Sequence, residues 1–121
     1  MLTPAERDYF DQERARHEAG YLAGKTAQQQ SGFGLCSSAW ERLRRPIVEH
    51  IHKGGTFLDI GCANGWLMES VVDWAGEWGF SIEAFGLDIS EELVNLARQR
   101  LPRWRDRFFV GNALLWEPPV C

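Results

Sequence analysis

Thr56-Phe57-Leu58-Asp59-Ile60-Gly61-Cys62-Ala63-Asn64-Gly65-Trp66-Leu67-Met68 is the stretch on which the reading of this chain turns. A short apolar run ends in a carboxylate, a Gly-x-Ala-x-Gly turn follows, and an apolar-periodic segment comes next. That order predicts a buried strand, a glycine-relaxed loop and the start of a helix. Such a junction brings unpaired backbone N–H groups and the positive end of a helix to a strand tip, where an anionic ligand group docks.

Downstream, Leu67, Met68, Val71, Val72 and Ala75 recur as one helical stripe that ends at Gly76 to Gly79. A second strand runs from about Ile82 to Leu87 and closes on Asp88. Ser90 caps the next helix, with Glu91 and Glu92 in its positive first turn and Leu93, Leu96, Ala97 and Leu101 facing inward until Pro102. Arg107 to Val110 predicts a third strand ending at Gly111-Asn112, and the prolines beyond it a loop. Helix and strand alternate, giving two right-handed βαβ units, hence an α/β fold with a parallel sheet.

Upstream, Ser37 or Ser38 caps a helix whose face of Trp40, Leu43, Ile47, Val48 and Ile51 stays in phase across Pro46. The in-phase face predicts a kink there, and Lys53-Gly54-Gly55 a C-terminal cap. Residues 1–20 read as a polar helix with a Thr3-x-x-Glu6 capping box and Pro4 in the first turn, an exposed arm that packs through Tyr9 and Phe10. Gln28 to Gly34 reads as a loop. Its Phe33, between two glycines, either closes the core or forms the apolar lid of a flap over a pocket.

Length and composition bound the function. The 121 residues make one domain, and a net charge of −4 offers nothing to a polyanion; the arginines at 42, 44, 45 and from 98 to 107 fit a solvated helical surface. No nucleic-acid partner is expected. No apolar run approaches the roughly 18 residues of a membrane span and no signal peptide opens the chain, so a cytoplasmic protein without a membrane partner is expected. Cys36, Cys62 and Cys121 form no disulfide framework or zinc pattern, and His50 and His52 point different ways on a helix. No metal is expected.

Three strand tips remain: Gly61 to Gly65, Asp88-Ile89 and Asn112-Ala113. Ligands of open α/β sheets bind beyond such tips, and Asp88 falls in the window where a ribose-binding acid is expected. Leu58-Asp59-Ile60-Gly61-Cys62-Ala63-Asn64-Gly65 resembles the Asp-x-Gly-x-Gly-x-Gly motif of class I, Rossmann-like S-adenosylmethionine-dependent methyltransferases, with Ala63 for the central glycine. Gly86-Leu87-Asp88-Ile89-Ser90 is similar to that family's second motif and Val110-Gly111-Asn112-Ala113 to its third. The resemblance covers about Trp40 to Trp116.

The resemblance implies S-adenosylmethionine as cofactor. Gly61, Cys62, Ala63 and Gly65 would then lie under its methionine part, with Asp59 facing the amino group. Asp88 would hold the ribose hydroxyls and Ile89 would pack on adenine. Asn112 and Ala113 would contact adenine, the Asn112 amide oxygen accepting from the exocyclic amine. Gln30 and Phe33 would belong to the flap. A nicotinamide enzyme is the rival on the same architecture, but Asp59 opposes a diphosphate and Trp66 crowds it.

The family typically has seven strands, and this chain ends after the third. The expectation is therefore a truncated doubly wound fold: a helical arm and flap loop over residues 1–36 and a cofactor-binding half-domain over 37–121. The function expected is methyl transfer to a small-molecule acceptor, with no acceptor-binding residue or general base to assign. The alternative is a non-catalytic binding module that self-associates, as a homodimer, along the open edge of the first strand.

Overall fold

In the computed structural model, which describes residues 1–31, 33 and 36–118, three parallel strands form one sheet in the order β1-β2-β3. They are β1 (Gly55–Ile60), β2 (Ile82–Asp88) and β3 (Phe108–Val110). The helices are α1 (Pro4–Leu22), α2 (Ala27–Gln30), α3 (Ser37–Arg44), α4 (Trp66–Glu77) and α5 (Glu91–Arg100). Helices α4 and α5 are the two crossovers, and a 3-10 segment, Pro102–Arg107, leads into β3. Gly32 and Gly34 of the expected flap and the tail from Pro119 to Cys121 lie outside the described residues.

The register sets Asp59 beside Gly86 and Asp88 beside Val110, so the three strands end together at one side of the sheet. Alternation along each strand decides what is covered. Phe57 and Asp59 of β1 share a face with Ala84, Gly86 and Asp88 of β2, and that face meets the helices. Met68 of α4, Val94 and Ala97 of α5, Leu101, Trp104 and Phe108 pack there. A second cluster joins Trp40, Val48, Val71 and Trp74 between α4 and the α3 segment, and Phe57 and Ile82 touch both clusters. Leu58 and Ile60 point the other way and are 39% and 62% exposed. The openness expected at the flank of β1 thus extends onto the sheet face.

Local expectations fare unevenly. The arm helix begins as its capping box dictates: Thr3 Oγ1 accepts from the Glu6 N–H (3.2 Å) and Glu6 accepts from the Thr3 N–H (2.8 Å). No residue of α1 is fully buried, as its polar composition predicts. The cap of α3 is Cys36 rather than Ser37 or Ser38, and no side chain bonds the first turn. Pro46 gives no kink within one α-helix: α3 ends at Arg44, and the chain winds on as a 3-10 segment, Arg45–His50. Pro46 has no N–H for an α-helical bond and its ring crowds the carbonyl four residues back, which the tighter winding relieves. Part of the expected loop at Gln28 is the short helix α2, capped by Thr26 Oγ1, which accepts from the Gln29 N–H (3.1 Å). Among the described residues no helix is long and apolar enough to cross a membrane.

Candidate functional site

The turn after β1 alternates into the left-handed region, with φ of 80° at Gly61, 47° at Ala63 and 80° at Gly65. A side chain at Gly65 would also meet Leu101 Cδ1 at 2.9 Å and Phe108 Cζ at 3.1 Å, so glycine there lets α4 start close against α5 and β3. Ala63 occupies a conformation that disfavours a Cβ. Its N–H is held by the Asp88 carboxylate at 2.9 Å, which ties the turn to the tip of β2.

The backbone donors of this turn are mostly occupied, which corrects the expectation of unpaired N–H groups. Gly61 and Cys62 both donate to the Leu87 carbonyl (2.7 and 3.0 Å), Gly65 donates to Cys62 O (2.9 Å), and the Trp66 N–H reaches Asn64 Oδ1 (3.3 Å). Asn64 in turn donates from Nδ2 to Ala27 O (2.7 Å). The cause is the neighbouring strand: β2 extends past the end of β1, and its carbonyl meets the first N–H groups of the turn. A phosphate cradle of free amides is not what this loop offers.

The empty valence lies instead in the Asp59 side chain. It is 9% exposed and makes no hydrogen bond or ion pair with any described residue. Burial, reinforced by the Asp88 charge, pushes its carboxyl up to about 6. Asp59 lines a cavity of about 170 Å³ together with Gly61, Phe33, Trp40 and Arg44. Phe33 is buried edge-on against Trp40 with ring centres 5.0 Å apart, so it closes the core and walls the cavity at once. The Arg44 guanidinium lies 5.3 Å from the Phe33 ring centre and 5.6 Å from that of Trp40, and it forms no salt bridge among the described residues. One unpaired buried carboxylate and one unpaired cation thus face a single small cavity. An α-amino acid, with its ammonium and carboxylate, is the matching ligand chemistry.

Sequence reasoning misses Arg44 because Arg42, Arg44 and Arg45 read together as solvated surface. Arg45 does fit that description, pairing with Glu41 and Glu77. The signal was present in the spacing: Arg44 follows Trp40 by one helical turn and so shares its inward face.

A second cavity, about 350 Å³, opens at the tips of β2 and β3, between Asp88, Ile89, Asn112 and Ala113. That volume is within the roughly 300–1,000 Å³ of small-molecule sites. Gly61 borders it as well as the Asp59 cavity, so the sites named at 59, 88, 89, 112 and 113 are brought together. Asp88 also accepts from the Ser90 N–H (2.9 Å), so it braces the start of α5 while lining the cavity. Asn112 departs from its expected role. Its Oδ1 accepts from the Leu114 N–H (2.9 Å), so the oxygen expected to meet the adenine amine is already engaged, and Nδ2 is buried with no partner among the described residues. Cys62 and Ala63 are buried in the turn, and burial raises the Cys62 thiol far above its usual range. The Gln30 amide donates to the Gly24 carbonyl (3.3 Å) and so serves its own loop.

A parallel β-α-β-α-β sheet with a glycine turn after its first strand and an acid at the tip of its second defines a Rossmann-like α/β fold. The chain belongs to the methyltransferase domain family, whose sequence profile it matches over residues 51–110, about half its length. Two solved structures share the fold. The protein MccD is 23% identical over 68% of this chain and 36% of its own, with a TM-score of 0.52. A TehB-like S-adenosylmethionine-dependent methyltransferase from Corynebacterium glutamicum is 21% identical over 97% of this chain and 50% of its own, with a TM-score of 0.50. The chain therefore spans half or less of the length of either. No curated protein matches it.

Proposed function

We propose that this chain is the cofactor-binding portion of an S-adenosylmethionine-dependent methyltransferase acting on a small-molecule acceptor. The observation that carries the proposal is the unpaired Asp59 carboxylate, buried opposite Arg44 at the tip of β1. When bound, S-adenosylmethionine supplies an activated methyl on a sulfonium, which an acceptor takes by in-line displacement. Asp59 holds the ammonium of the amino-acid tail and Arg44 its carboxylate, a pairing that fixes the tail at both charges. Asp88 accepts from the ribose hydroxyls, and Ile89 and the Asn112 amide take the adenine, with Gly61, Cys62, Ala63 and Gly65 forming the floor between. The small-molecule acceptor follows from a net charge of −4, which favours no polyanion.

The same site argues against a dinucleotide. A diphosphate would face the Asp59 carboxylate and a turn whose amides already have partners. Calorimetric titration with S-adenosylhomocysteine and, separately, with NAD distinguishes the two. The expected result is one-site binding of S-adenosylhomocysteine and none of NAD; the reverse result overturns the proposal.

A second reading, self-association, is favoured by one observation: β1 ends the sheet among the described residues, with Leu58 and Ile60 exposed beside it. Two copies would pair along β1, and sedimentation of a strictly monomeric species at all concentrations excludes that.

A further inference from the structure

The arm helix has no fully buried residue, yet it is not free of the body. Glu18 accepts a hydrogen bond from Ser90 Oγ, and the same Ser90 oxygen caps α5 by accepting from the Leu93 N–H (3.1 Å). This latch lays α1 across the tip of β2. There Phe10, half-buried, lines the cavity between Asp88, Ile89 and Asn112. It also lines an adjoining cavity of about 250 Å³ between α1 and the start of α5, where His17 and Tyr21 stand opposite Asp88 and Ser90. Phe10 is thus the aromatic ring common to both spaces, which also share Gly61, Asp88 and Ile89.

Adenine is a flat ring system that gains from apolar contact on both faces and from stacking on an aromatic ring. Ile89 offers one face. We propose that Phe10 is the second wall of the adenine site, so that α1 closes over the bound nucleoside and is held down by it. This rests on the functional reading above, and it adds to that reading a specificity-determining residue from outside the three strand tips. It also accounts for the placing of Phe10 on a mostly polar helix: Tyr9, its neighbour, is 59% exposed, whereas Phe10 is half-buried. A helix with no buried residue has little docking energy of its own, so its order is coupled to the ligand.

The test uses the whole chain, S-adenosylhomocysteine, and the variants Phe10→Ala and Phe10→Leu, with circular dichroism to verify folding. Phe10→Ala should bind about tenfold more weakly, and in the wild type the ligand should slow tryptic cleavage after Arg14 and Arg16. Phe10→Leu keeps apolar bulk without a ring. The adenine H2 and H8 resonances of bound ligand, shifted upfield by a stacked ring in the wild type, should lose that shift in Phe10→Leu. Folded Phe10→Ala binding as tightly as the wild type, or H2 and H8 unchanged in Phe10→Leu, overturns the role of Phe10 and leaves the methyl-donor site standing. Failure of the wild type itself to bind S-adenosylhomocysteine overturns both.

Discussion

Asp59→Asn stabilises the ligand-free fold at neutral pH and weakens S-adenosylhomocysteine binding by about 100-fold. Both effects have one origin. The carboxyl at 59 is raised from 3.8 to about 6, first by burial and second by the Asp88 charge. Between about pH 4 and pH 6 the folded chain keeps a proton that the unfolded chain has released. Stability therefore falls as pH rises through that window and stays low above it. The shift corresponds to about 3 kcal/mol at neutral pH. Asparagine removes that cost, so the variant melts at higher temperature than the wild type at pH 7.5, and the two converge below pH 4. The gain disappears once ligand is present, because the variant has no charge to set against an ammonium. Thermal melts from pH 4 to 8 and calorimetry at pH 7.5 measure the two sides. A variant with wild-type stability and wild-type affinity contradicts the assignment.

Asp88→Ala works in the opposite direction and costs the fold itself. Its carboxylate accepts from the Ala63 and Ser90 N–H groups, both at 2.9 Å and both in buried residues. Removing it orphans two backbone donors, for a loss of about 2–4 kcal/mol in urea unfolding. It also releases Ala63, whose φ of 47° is sustained by that hydrogen bond. The turn that borders both ligand cavities then loses its tether, and S-adenosylhomocysteine binding falls below detection. Asp88→Asn retains one acceptor and should lose about half as much stability. Because the Asp88 charge also raises Asp59, the two substitutions couple, and Asp59→Asn should stabilise an Asp88→Asn background less than it stabilises the wild type. Asp88→Ala with an unchanged urea midpoint would remove the bracing role.

What was legible in the chain were features written in local pattern. The apolar run into Asp59, the capping box at Thr3 and the Ser90 cap each need only a few neighbouring residues, and each is present as expected. Pro46 marked the correct position, but whether a helix kinks or changes winding depends on packing around it. The occupied amides of the turn were illegible for another reason. Their partner, the Leu87 carbonyl, lies on the adjacent strand, and only the register of β1 against β2 sets it there. Arg44 and Phe10 come from helices that precede β1, and their place at the strand tips is a product of tertiary docking. The residues read from motif at 59, 88, 89, 112 and 113 do converge on adjoining cavities, while Gln30 serves its own loop.

The proposed site rests on an acidic side chain that waits, uncompensated among the described residues, for a cationic partner. Carbon-13 NMR of the Asp59 carboxyl, titrated with and without S-adenosylhomocysteine, reads that state directly. The expected midpoint lies near 6 in the free protein and drops below 4 when the ligand is bound. An ordinary midpoint in the free chain, or a raised one that saturating ligand leaves in place, contradicts the proposed site.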